Sequence, residues 1–151
     1  MDTSKKIVLG VVAILLVLQF FRIEKTTVNP NPANDLLAME QAPAEVTTIL
    51  KQACYDCHSY ESNYPWYTNI APVSWWIAHH IDEGREHLNF SEWATYSAKR
   101  KAHKMEELIE EVDEGEMPLD SYTWVHGEAR LTIEQKEALM TWAREIMKKH
   151  Q

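Results

Sequence analysis

An uncharged run of fifteen residues, Ile7 to Phe21 (IVLGVVAILLVLQFF), limits what the rest of this 151-residue chain can become. Apart from Gln19 it is apolar on every side, whereas a helix packed on the surface of a small core shows polar positions at helical spacing. Lys5 and Lys6 precede the run, and Arg22, Glu24 and Lys25 close it, which is the layout of an export segment with its lysines left in the cytoplasm. As a helix the run would be about 22 Å long at ~1.5 Å per residue, short against a ~30 Å hydrocarbon core and equally suited to the apolar part of a signal peptide. No small-x-small cleavage site follows it, and no cysteine is there to carry a lipid. Residues 1–25 are therefore expected to form a transmembrane or signal-anchor helix, with a single pass and everything beyond it on the periplasmic side.

Setting that segment aside sharpens the charge. Residues 1–25 hold four basic and two acidic groups of the chain's 15 and 23, which leaves 11 basic and 21 acidic, a net charge of -10 against -8 for the whole chain. No long lysine or arginine block interrupts the acidic groups, so binding of nucleic acid through phosphate neutralisation is a poor fit. The length allows one modest domain. Thr26 to Asp35 (TTVNPNPAND) has prolines and asparagines without an apolar period, the pattern of an irregular tether; we assign residues 26–38 to a linker and 39–151 to the domain.

The domain reads as all-α, with about four helices and no alternating strand pattern. Val46, Ile49, Leu50 and Ala53 make one apolar face behind Pro43. Val73, Trp76, Ile77, His80 and Ile81 suit a second helix ending near Gly84. A third, with Ser91 as its cap, has Met105, Leu108, Ile109 and Val112 in register and stops at Gly115. Thr132 and Gln135 have capping-box spacing before a last helix whose inner face is Leu139, Trp142, Ala143 and Ile146.

The chemistry concentrates at Cys54-Tyr55-Asp56-Cys57-His58. These are the only two cysteines, and C-x-x-C-H is the attachment pattern of haem c. Two thiols three positions apart at a helix end can form thioethers with one edge of the macrocycle. The next residue, His58, is then carried under the ring to bind iron. Its other ring nitrogen needs a carbonyl or water to fix its orientation. A structural zinc site wants four ligands, a thioredoxin-like pair wants βα elements, and a two-residue disulfide loop staples little; all three rank below one covalent haem.

For the sixth iron position the chain offers Met117, in Gly115-Glu116-Met117-Pro118, where glycine permits a tight turn and Pro118 keeps Met117 out of helix. His79, His80, His87, His103 and His126 compete, His80 foremost; an open position is the third option. Trp66, Tyr67, Trp75, Trp76, Trp93, Tyr122 and Trp124 suit either a haem wall or ordinary core. Lys99, Arg100, Lys101 and Lys104 precede Glu106, Glu107, Glu110, Glu111, Asp113 and Glu114 on the third helix, the reverse of what the helix dipole favours. Such a run is either a solvated face or a docking surface.

Taken together, NYPWYTNIAPVSWW, EGREHLNFSEW and EGEMPLDSYTWVH behind CYDCH and an N-terminal apolar segment resemble the haem-binding domain family of exported bacterial proteins, related to class I cytochromes c. The resemblance covers roughly Met39 to Met147. It implies a cytochrome c-like helical fold around one haem, with Cys54 and Cys57 at the thioether positions, His58 as proximal ligand and Met117 as distal ligand. The function expected is one-electron transfer in the periplasm rather than enzymatic turnover, with haem, the membrane and an unidentified redox protein as partners. Ligand sensing or peroxidase-like chemistry at a displaceable sixth position is the alternative.

Overall fold

The computed structural model describes residues 2–26 and 28–151, and among them helix is the only regular structure. Eight α-helices follow in order: α1 (Thr3–Leu18), α2 (Leu36–Glu40), α3 (Ala44–Ala53), α4 (Tyr55–His58), α5 (Val73–His87), α6 (Ala98–Glu114), α7 (Asp120–Thr123) and α8 (Ile133–Lys149). The four helices expected of the domain are α3, α5, α6 and α8. The short ones, one turn each or little more, are set by local turn chemistry that apolar periodicity does not register.

The core forms where α6 packs along α8 and α3 closes over α8. Met105, Leu108 and Val112 meet Leu139, Met140, Trp142, Ala143 and Ile146, with Val46, Ile49 and Leu50 of α3 completing the cluster. Burying each such side chain contributes roughly 1.5–3 kcal/mol. Thr132 and Gln135 form the full capping box of α8. Gly115 stops α6 at φ 83°, a left-handed conformation that glycine adopts without strain.

Several expectations are corrected. The cap of α6 is Ser97, whose hydroxyl accepts from the Arg100 N–H, whereas Ser91 lies in a separate 3-10 turn over Phe90–Thr95. Helix α5 does not end near Gly84 but runs on to His87. Its buried residues are Ser74, Ile81 and Gly84, of which Ile81 is the one expected; Val73 and Trp76 point outward, and Gly84 is the residue set against Cys57 of α4. The charge run on α6 is not one solvated face: Lys101 is buried with its ammonium over the Trp93 ring, and Arg100 lies over Tyr96.

The N-terminal segment departs from the expected membrane-spanning helix in its length. Helix α1 is exposed along its length, yet among the described residues no helix is long and apolar enough to cross a membrane. The apolar run continues to Phe21, but the α-helix stops at Leu18, after which the backbone bonds tighten to three-residue spacing, Gln19 to Leu16, Phe20 to Val17 and Phe21 to Leu18. The Gln19 carboxamide donates to the Ala71 carbonyl (3.0 Å) and accepts from the Ala71 N–H (3.0 Å). Trp75 Nε1 donates to the Phe21 carbonyl at 2.7 Å, and Thr26 bonds Tyr64 and Arg85, so the segment after α1 lies on the domain. Core packing begins at Asp35 and the fully buried Leu36.

Candidate functional site

Cys54 caps the C-terminus of α3, and Cys57 and His58 follow on α4, so one helix-to-helix junction presents all three. Its two middle residues fix it from opposite sides. Tyr55 is buried against Phe90 and donates its hydroxyl to Asp35 Oδ1 at 2.6 Å. Burial and the Asp35 carboxylate together push the Tyr55 phenol far above its ordinary range. Asp56 accepts from the Asn63 N–H (2.8 Å) and from the Tyr122 hydroxyl (2.8 Å).

His58 is held from the other side. Its Nδ1 lies 3.0 Å from the Leu88 carbonyl. A carbonyl only accepts, so Nδ1 carries the proton and Nε2 is left with its lone pair and no hydrogen-bond partner among the described residues. Burial lowers the imidazole pKa, against the carbonyls of Leu88 and Gly84, and favours the neutral ring that binds metal. Gly84 sets the distance between α5 and α4: a Cβ there would stand 2.9 Å from the Cys57 carbonyl oxygen and 3.2 Å from Cys57 Cβ. Any larger side chain would wedge the two helices apart.

The thiols are free and partly exposed. Burial, with the neighbouring Cys57 adding to it, pushes Cys54 up to about 12; burial and Asp56 push Cys57 up to about 11. Thiols this hard to ionise are poor nucleophiles and poor partners for thiol-disulfide exchange, which weakens the redox-pair reading. The described residues contain no cluster of three His, Cys, Asp or Glu groups able to hold a metal ion, which removes the zinc reading.

Met117 is half-buried and packs on the same core cluster as Cys54. Its N–H donates to the Glu111 carbonyl (3.0 Å), folding the Gly115–Pro118 turn back on α6. Tyr122, five residues on, ties this loop to Asp56 and so to the cysteine motif. A cleft of about 320 Å³ opens beside Met117, lined also by Trp124, Arg130 and Lys136; the last two bring positive charge suited to carboxylates. Trp93 belongs to the core and donates to Glu40, and Trp66 and Trp124 are each 74% exposed, so the expected aromatics do not form one wall. Tyr122 stacks on His126 at 4.2 Å, and Tyr67 bonds His126 Nε2.

Among the rival histidines, His79 and His103 pair with glutamates on their own helices, and His126 is engaged by Tyr67 and Glu128. His87 is exposed. His80 differs, because its Nε2 is buried without a partner.

These residues fit haem: two thiols at attachment spacing, a neutral imidazole with one nitrogen fixed and the other free, and a thioether on a loop tied to the same junction. A helical domain with such a junction belongs to the haem-carrying class. The chain is a member of the haem-binding domain family, whose model matches residues 13–145, and it binds haem. No curated protein and no solved structure matches it. The match begins within α1, so the Gln19 contacts fall inside the family unit. Nothing in the sequence marked Asp35 or the Leu88 carbonyl, while Tyr122 stood out only as an aromatic for a haem wall or core and Gly84 only as a helix end. Gly84 also carried a second signal, a glycine inside an apolar helical pattern where alanine is more stable.

Proposed function

We propose that the chain carries single electrons through one haem attached covalently to Cys54 and Cys57, with His58 and Met117 as the two axial ligands. The observation that carries this reading is the His58 Nδ1–H bond to the Leu88 carbonyl, which holds the imidazole neutral with Nε2 as its available nitrogen. Haem held by histidine and methionine exchanges an electron at its iron with the potential raised relative to two histidines. The residues around it restrict movement: Asp35 and Tyr122 grip the attachment segment, and the Glu111 carbonyl holds Met117. Exposed Glu110, Glu111, Asp113, Glu114 and Glu116 crowd the approach to Met117 along the chain. They would steer a basic redox partner, at a rate that falls with salt. Helix α1 serves as the export signal and, retained, holds the domain at the outer face of the cytoplasmic membrane. The role is that of a carrier rather than an enzyme.

The test is a visible spectrum, oxidised and dithionite-reduced, of protein made with the haem-attachment machinery. The expected result is a covalent c-type spectrum with the weak red absorption that marks methionine on ferric haem. Covalent haem without that band would transfer the sixth position to His80 or leave it open for ligand chemistry. Absence of covalent haem would refute attachment through Cys54 and Cys57.

A further inference from the structure

The outward turn of the tryptophans on α5 leaves an apolar face that the haem site does not use. Ile70, Val73, Trp75 and Trp76 are all exposed around the start of α5, and Trp76 is 47% exposed. Phe20 and Phe21, 85% and 63% exposed, stand at the end of α1. The two groups are joined directly: Gln19 makes a reciprocal pair of hydrogen bonds with Ala71, and the Trp75 indole N–H reaches the Phe21 carbonyl. The exposed apolar end of α1 is therefore fixed beside the exposed apolar start of α5, with Gln19 between them. Arg22 and Lys25 are exposed just beyond.

From this juxtaposition we propose that the face formed by Phe20, Phe21, Ile70, Val73, Trp75 and Trp76 seats the domain in the headgroup region of a lipid bilayer. The proposal rests on α1 being embedded in that bilayer. Helix α1 has 16 residues and is about 24 Å long, several ångström short of a ~30 Å hydrocarbon core. Bulky rings continuing past Leu18 extend the apolar length where the helix itself ends. Tryptophan is the residue that favours this depth, since its ring is apolar while its N–H takes a polar partner. For Trp75 that partner is the Phe21 carbonyl. Arg22 and Lys25 then lie at the level of lipid phosphates, which suits an anionic surface. The consequence is a domain docked in one orientation instead of swinging on a free tether.

The experiment uses the full haem-loaded chain, labelled with fluorotryptophan, in bicelles of phosphatidylcholine and phosphatidylglycerol. The fluorine signals of Trp75 and Trp76 are assigned with Trp75→Phe and Trp76→Phe. We expect a lipid spin-labelled near its headgroup to relax these two signals several-fold more than that of Trp124, which lines the cleft at Met117. A water-soluble gadolinium chelate should give the opposite order. In Gln19→Ala the lipid effect should fall while the chain still floats with lipid; an undiminished effect would overturn the role of the Gln19–Ala71 pair in setting the orientation. Trp75 and Trp76 relaxing like Trp124 in a chain that floats with lipid would overturn the docking face and leave the α1 anchor standing. A chain that does not float with lipid would overturn the anchor and the face together. Protection from both reagents, with a dimer on sizing, would assign the face to a second copy and overturn the proposal.

Discussion

Replacing Gly84 by alanine sets two known effects against each other. Inside a helix the change should stabilise by about 1 kcal/mol, because glycine has the greater backbone freedom to lose. At this position the new methyl would stand 2.9 Å from the Cys57 carbonyl oxygen, where ordinary contact begins at 3.4 Å, so α5 and α4 must separate by about 0.5 Å. Neither helix is free to yield. Leu88 holds His58 at the end of α5, and Asp35 holds Tyr55 at the start of α4. Overpacking against fixed backbone costs about 1–3 kcal/mol, so the helix gain should be cancelled or exceeded, with a net loss of up to about 2 kcal/mol and a fall in melting temperature of up to roughly 6 °C for a domain of this size. The assay is thermal and urea unfolding of the oxidised haem protein, with Gly127→Ala as reference. Nothing lies within 4 Å of a Cβ at Gly127, so that change should stay within about 0.5 kcal/mol. A Gly84→Ala protein more stable than the wild type by the full ~1 kcal/mol of the helix gain would show that α4 and α5 do not meet as described.

Glu40 is buried, which by itself raises a carboxyl pKa. Hydrogen bonds from Lys149, Trp93 and His150 outweigh this and hold it at about 2 instead of 4.5. Its folded pKa is depressed, so the stabilisation is complete above the unfolded value and is lost as pH falls from about 4.5 through about 2. That contribution is roughly 3 kcal/mol before screening at the exposed Lys149 and less after it, and Glu40→Gln should flatten the acid limb of stability against pH measured by urea unfolding. Tyr122→Phe removes one donor from Asp56 and should cost about 1–2 kcal/mol in the same unfolding assay, with faster cyanide binding as the Met117 loop loosens. Met117→Ala should keep covalent haem and bind carbon monoxide more readily when reduced; an unaltered rate and spectrum would exclude Met117 as a ligand.

How far the sequence reaches depends on whether the determining contact is local. The stop at Gly115, the box at Thr132 and Gln135 and the stripes of α6 and α8 all depend on residues within a turn or two, and each has the expected form. The outer face of α5 was misread because periodicity weighs size and apolarity. Ser74 and Gly84 are inside because they are small. The cap at Ser97 differs from Ser91 through backbone placement, which composition does not encode. At the site, C-x-x-C-H points to the residues proposed to hold haem, but not to what positions them. The proton on His58 is set by a backbone carbonyl thirty residues away, which any residue could supply. Tyr55 and Asp56 find their partners 20 and 66 positions away.

The bonds of Lys149 and His150 to Glu40 also set an order of events. The core is completed by α8, and the buried carboxylate near the start of the domain is neutralised by residues at the very end of the chain. On the export proposed above, a polypeptide emerging in sequence order would deliver Cys54 and Cys57 more than ninety residues before those partners. During that interval the two thiols would stand outside any finished core, in contact with water. Covalent attachment, as proposed, would then have a window that closes when the last helix arrives, after which burial opposes ionisation of both thiols.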